Sequence, residues 1–266
     1  MSRERSSEQR TIDWQKLIEE ALTTPGNMHG IYDRFYNYSF FNQIYLRMQG
    51  VREPVATYNR WQEVGRQVVK GAKAKEIVRP ILAKNRVENG EEEPVLLGFK
   101  PVKCIFTLSE TEGPELPPLE LPEWDEETAL AKLNVRRVRF DVLNANIQGF
   151  SQGRDIAINP VAVNPRKTLI HELGHIMLGH TMRDATPEIA SHRGLKEFEA
   201  EGTAYLTLKE LNQLDEQTAE ISRGYIQNWL DNDRPPDHSI RRVFGVTDRI
   251  LKAGRLVMSN VMEGDS

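Results

Sequence analysis

A histidine pair four residues apart, set inside an apolar run, constrains this chain more than any other stretch. Residues 168–178 read Thr-Leu-Ile-His-Glu-Leu-Gly-His-Ile-Met-Leu. On an α-helix, positions i and i+4 share a face, so His171 and His175 present two imidazoles to one point. Asn164-Pro165 supplies a helix start, with proline in the first turn. The flanking Leu169, Ile170, Leu173, Ile176, Met177 and Leu178 make the helix apolar nearly all round, so other elements must enclose it. Two histidines and a glutamate buried there need partners, and a metal ion is the economical one. His-Glu-x-x-His is the corresponding zinc pattern: His171 and His175 are the expected ligands, Zn²⁺ the expected cofactor. Glu172, beside the first ligand, is placed to take a proton from water that the ion activates.

Such a centre needs a third protein ligand and an open fourth position. The extended three-histidine pattern places its last histidine six residues after the second. His180 falls one short and is expected beside the ligands or at the helix end. The stretch Lys196-Glu-Phe-Glu-Ala-Glu-Gly-Thr-Ala204 offers three carboxylates. Glu197 and Glu201 share a helix face, while Glu199 points away. Small residues Ala200, Gly202 and Ala204 would let this helix pack closely on the His-Glu helix. Glu201-Gly-x-Ala204 resembles the third-ligand helix of the glutamate-zincins. Glu201 is therefore the expected ligand, with Glu197 the runner-up or a supporting carboxylate. His192, Tyr205, Tyr225 and His238 could stabilise an oxyanion, and nothing in the sequence selects among them. The strand Ile156-Ala-Ile-Asn159 could pair with an extended peptide substrate, or be internal sheet.

The rest of the chain frames this helix. Residues 113–122 contain four prolines, which oppose helix and central strand alike. They divide the 266 residues into two expected domains, 13–112 and 123–258. Before the divide, helices are expected over 13–22, 31–48 (with a break near 37–39) and 58–66, and strands over 76–82, 95–99 and 102–108. After it come a helix over 128–133, strands over 137–142 and 155–159, the His-Glu helix, and helices over 195–212, 216–229 and 237–257. The expected class is α+β: a mixed N-terminal domain, then a mostly helical domain with a small sheet. The single cysteine, Cys104, excludes an internal disulfide and a cysteine-rich zinc module. Neither a signal peptide nor an apolar run of membrane-spanning length is evident, so a cytoplasmic location without membrane contact is expected.

Charge is uneven. Residues 1–86 carry 15 Lys and Arg against 9 Asp and Glu, in a chain of net charge −4. The basic end suggests an anionic partner. Arg66, Lys70, Lys73, Lys75 and Arg79 cluster around Gly71, with Tyr58 and Trp61 nearby. Cations interleaved with aromatics suit single-stranded nucleic acid, phosphates on the cations and bases on the rings. The same residues would also make a solvated basic hairpin with Trp61 in the core.

Three stretches carry a family resemblance: Phe35-Tyr-Asn-Tyr-Ser-Phe-Phe-Asn-Gln-Ile-Tyr-Leu-Arg-Met-Gln49, Tyr58-x-x-Trp-Gln-x-x-Gly-Arg-x-Val-x-Lys-Gly71 and Phe106-Thr-Leu-Ser-Glu-Thr-Glu-Gly113. They resemble the N-terminal domain of ArdC-type antirestriction proteins, which implies single-stranded DNA as a partner. The C-terminal half resembles the zinc-peptidase domain that accompanies it and, more loosely, ImmA/IrrE-type metallopeptidases. Two departures stand out: Glu110-Thr-Glu-Gly113 where the family has Gln-Thr-x-Gly, and Ala72-Lys-Ala-Lys75 where it has Gly-Glu-Lys-Gly. The resemblance implies a factor of a mobile element or phage that protects incoming DNA, with an unidentified peptide or protein substrate. The alternatives are a peptidase that cleaves a repressor without touching DNA, and a DNA-binding protein whose zincin half is inactive.

Overall fold

The computed structural model describes residues 12–23, 38–86, 92–116, 123–142, 146–182, 193–232 and 235–255. Among the described residues, two helices come first, α1 (Trp14–Thr23) and α2 (Phe40–Met48). Ser39 caps α2 by accepting from the Asn42 amide, as its position before the aromatic run predicts. The expected helical turns over 31–37 lie outside the described residues.

A three-stranded sheet follows, in the order β1-β4-β3, built from β1 (Val55–Thr57), β3 (Lys75–Arg86) and β4 (Glu92–Thr107). Between β1 and β3 lie α3 (Tyr58–Glu63) and β2 (Gln67–Val68). The expected helix over 58–66 is thus shorter: Gly65, at φ +76°, turns the chain into β2, which pairs with β5 (Thr111–Glu112). β3 and β4 form one long antiparallel hairpin, where sequence suggested three short strands. Pro101 does not break β4. Beside it only β3 pairs, so the missing N–H can face the open side.

After the proline-rich divide come α4 (Glu126–Lys132), β6 (Arg136–Arg137), β7 (Gly149–Gln152) and β8 (Asp155–Ile158). β8 is central, parallel to β6 and antiparallel to β7. The expected strand over 137–142 is only the two-residue β6, and β7 carried no sequence signal. Four helices follow among the described residues: α5 (Pro165–Met177), α6 (Arg193–Glu210), α7 (Glu216–Asn232) and α8 (Asp237–Gly254). No described helix is long and apolar enough to cross a membrane.

The proline-rich stretch separates sheets, not cores. Leu17, Ile18, Leu22, Phe40 and Ile44 of α1 and α2 share one buried cluster with Phe198, Tyr205, Val243 and Phe244 of α6 and α8. Asp248 of α8 accepts the Phe40 amide at 2.9 Å, so a C-terminal carboxylate caps an N-terminal helix. Two residues further along α8, the Trp124 indole donates to the Ile250 carbonyl at 3.0 Å. A second cluster, around Leu169, Ile170, Leu173 and Ile176 of α5 with Ala204, Leu208 and Ile250, encloses the His-Glu helix as its all-round apolarity requires.

Candidate metal centre

α5 begins where the sequence places it. Asn164 accepts the Lys167 amide at 2.9 Å and Pro165 occupies the first turn. Gly174 lets α6 approach: a Cβ there would lie 3.3 Å from the Ala200 backbone. Of the small residues expected to permit this contact, Ala200 makes it, whereas Gly202 faces Val243 of α8.

The close approach brings three donors together. His171 Nε2 and His175 Nε2 lie 3.1 Å apart. Glu197 Oε2 is 3.5 Å from the first and 3.7 Å from the second. Ligands about 2.0–2.1 Å from a tetrahedral zinc stand roughly 3.3 Å from one another. The His171, His175 and Glu197 donor set therefore fits a small divalent cation with little movement.

Glu201, the expected third ligand, is turned elsewhere. Its Oε2 meets His171 Nδ1 at 3.2 Å, and its Oε1 meets Ser222 Oγ at 2.5 Å and Lys167 Nζ at 2.7 Å. Glu197 and Glu201 share a face one turn apart, and the N-terminal of the two reaches the trio. Glu201 instead accepts from the far nitrogen of a candidate ligand, which fixes its tautomer and leaves Nε2 free to bind.

His175 has its own support. Its Nδ1 is 2.9 Å from His180 Nδ1, and His180 Nε2 is 2.8 Å from Glu199 Oε2. The arrangement that satisfies every group has His180 donating to Glu199 and accepting from His175. Glu199 is 1% exposed and is also held by Arg242 at 3.3 Å. His180 thus serves beside the ligands, as its spacing predicts, and the carboxylate that points away from the trio anchors it.

The electrostatics of the cluster favour a cation. The His171 and His175 rings beside it hold Glu197 well below the usual carboxylate range. Burial raises the Glu201 pKa, but His171, Lys167 and Ser222 outweigh it and bring it to about 2. Burial likewise depresses His171, yet Glu197 and Glu201 lift it to about 9. A carboxylate-rich cluster that draws protons onto a histidine would accept a metal ion in their place. Burial keeps His180 below its ordinary value despite Glu199, consistent with a neutral ring that can accept from His175.

Glu172 is held from the sheet side, where Ser151 Oγ donates to its Oε2 at 2.5 Å. Ser151 lies on β7, which runs against α5 so closely that a Cβ on Gly149 would lie 2.7 Å from Thr168. β7 is an edge strand of its sheet. The strand offered by sequence for pairing with a peptide, β8, is internal. A cleft of about 450 Å³ opens beside Glu172, rimmed by Gln148 and Gly149 and by Val163 and Ile221. Val163 is 92% exposed and Ile221 63%, an apolar rim to a polar centre.

Of the oxyanion candidates, the two with described side chains are not brought here. Tyr205 is buried and donates to the Leu22 carbonyl at 3.0 Å. His238 is exposed and lines a different cleft. His192 and the Tyr225 side chain lie outside the described residues. Ser151, Ser222, Lys167 and Arg242 carried no sequence signal for their parts in the site.

The basic turn divides. Trp61 is fully buried, its indole donating to the Phe106 carbonyl at 3.0 Å, so it is core and offers no surface for a base. Arg66 is spent on structure: it donates to Thr111 Oγ1 at 2.8 Å and to the Gly113 and Pro114 carbonyls. Lys75 pairs with Glu110 at 2.6 Å. Lys70, Lys73 and Tyr58 remain exposed.

Residues 5–111 match the N-terminal domain of anti-restriction factor ArdC. The chain is also similar in fold to the metal-free crystal structure of the antirestriction ArdC protein from the R388 plasmid, with 17% identity and a TM-score of 0.52, over 92% of this chain and 98% of that one. The N-terminal region thus resembles the ArdC N-terminal domain, and over 92% of its length the chain shares the fold of the R388 protein. The Mn(II)-bound structure of the R388 protein aligns over the same shares at 17% identity, with a TM-score of 0.49. No curated protein matches the chain. The ArdC match ends at residue 111, beside the Gly113–Pro122 stretch that divides the sheets.

Proposed function

We propose that this ArdC-type protein is a divalent-metal peptidase coupled to a single-stranded DNA-binding region, acting as an antirestriction or DNA-protection factor. The observation that carries the peptidase half is the trio His171, His175 and Glu197, in which both imidazoles have their outer nitrogens hydrogen-bonded. Those three residues would hold the ion, with zinc the first expectation. A divalent cation supplies Lewis-acid polarisation of a carbonyl and a lowered pKa for water. Glu172 takes the proton of the attacking water and passes it to the leaving amine, while Ser151 fixes its second oxygen. An extended substrate pairs with the free edge of β7, its side chains along the Val163 and Ile221 rim.

The DNA-binding half is supported by the ArdC N-terminal match and by exposed cations on the N-terminal side. The antirestriction role is carried over from the R388 plasmid protein of the same fold. The test is direct. Zinc and manganese are titrated into the full chain by calorimetry, and casein hydrolysis is followed with metal, with chelator and in Glu172→Gln. Binding of one ion per chain, with hydrolysis lost in chelator and in the variant, is the expected result. Hydrolysis indifferent to chelator would remove the metal centre from the reaction.

A further inference from the structure

A second cleft, of about 670 Å³, lies away from the trio, where α1, α2, β3 and β4 meet α8. Part of its lining is aromatic. The Trp14 and Phe41 rings lie 4.7 Å apart, and Phe99 of β4 is 42% exposed at the rim. Cations surround it. Arg242 is engaged by Glu199 and Lys252 by Asp248, the acidic residue of the lining. Arg79 and Arg241 form no salt bridge among the described residues, and Arg241 lies over the Trp14 ring at 5.5 Å.

Flat apolar rings beside guanidinium groups that pair with no described carboxylate complement a ligand that is itself both flat and anionic. A nucleobase with its phosphate has that chemistry, and a single strand leaves its base faces available. A duplex hides those faces in its stack. An acidic peptide would satisfy the arginines and leave the rings uncovered. We propose that this cleft binds single-stranded nucleic acid, with a base against Phe99 and the Trp14–Phe41 pair and phosphates on Arg79 and Arg241. The inference rests on the DNA-binding reading above. It moves the main contact from the basic turn to a cleft that both halves of the chain build.

The test uses the full chain and a fluorescein-labelled oligothymidylate, with binding read by anisotropy across a salt series. Reversing both charges, Arg79→Glu with Arg241→Glu, is expected to weaken binding by more than about 10-fold and to flatten the salt slope. Phe99→Ala is expected to weaken it by roughly 5- to 150-fold with the slope unchanged. Stacking should also quench Trp14 emission, and Trp14→Phe, which keeps a ring in place, should remove that quenching. Thermal melts accompany every variant, and Arg79→Gln with Arg241→Gln replaces the reversal if it fails to fold. If the parent binds and the arginine and Phe99 variants bind equally well, the cleft is not the site, although DNA binding stands. A parent that prefers duplex also overturns the cleft. A parent that binds no oligonucleotide overturns both readings.

Discussion

The candidate metal centre on α5 and α6 and the basic turn around Gly71 both stood out in the sequence, and the structure treats them differently. At the centre, His171, His175 and Glu172 fall where their spacing puts them, and each meets a partner. At the turn, three of seven marked residues are consumed by the fold: Trp61 in the core, Arg66 on loop carbonyls, Lys75 on Glu110. The difference is geometric. A helix fixes side-chain direction every 3.6 residues, so spacing along it is a statement about space. A turn fixes no such direction. Counting its cations says how many charges there are, not which ones the backbone and nearby carboxylates have already claimed.

The largest expected effect tests the centre. Glu172→Gln keeps the shape and the Ser151 neighbour but cannot accept a proton. Casein turnover should fall by about 10²- to 10⁴-fold, while bound metal is unchanged. A variant that turns over at the parental rate would reduce Glu172 to a structural residue and erase the contrast with the turn.

The next effect sharpens the assignment within the centre. Glu197→Gln should weaken metal binding more than Glu201→Gln, which is expected to cost about 10- to 100-fold through a misoriented His171. Calorimetric titration of both variants orders them. If Glu201→Gln loses the metal and Glu197→Gln keeps it, Glu201 is the ligand.

That pair marks where sequence reading stops. Both glutamates lie on one face, one turn apart, and both suit a zinc helix. In the structure Lys167 and Ser222, from two other helices, engage Glu201, while Glu197 stands nearer the two histidine Nε2 atoms. No local pattern encodes contacts of that separation. The helix pair itself was legible, because Ala200 advertises close packing and the apolar flanks demand enclosure. β7 was not, since Gly-Phe-Ser-Gln is short and lacks alternation, and with it went Ser151 and the true sheet edge. The shared core of α1 and α2 with α6 and α8 was equally hidden, because a proline-rich stretch signals a break in the chain path, not in the packing.

Trp61 breaks the basic-turn reading from the other side. It is fully buried and hydrogen-bonded, so Trp61→Ala should destabilise the fold by about 3–5 kcal/mol, read from a denaturant melt. Oligonucleotide affinity, measured well below the melt, should then be nearly unchanged. A stable Trp61→Ala chain with much weaker binding would return Trp61 to the surface role its neighbours suggested.

The smallest effect concerns what remains of the turn. Lys70 and Lys73 are exposed, and no salt bridge joins either to a described carboxylate. If both lie along the strand's path, each neutralises a phosphate and contributes about 0.7 to the log–log salt slope. Lys70→Ala with Lys73→Ala should therefore flatten the slope by roughly 1.4 units. Adding Lys75→Ala should flatten it no further, because that ammonium is already neutralised by Glu110 at 2.6 Å. The triple variant should instead lose some stability, since Lys75 ties the start of β3 to the turn before β5. A slope that falls by equal steps through all three lysines would mean that DNA displaces Glu110, and the turn would then act as one phosphate-binding unit.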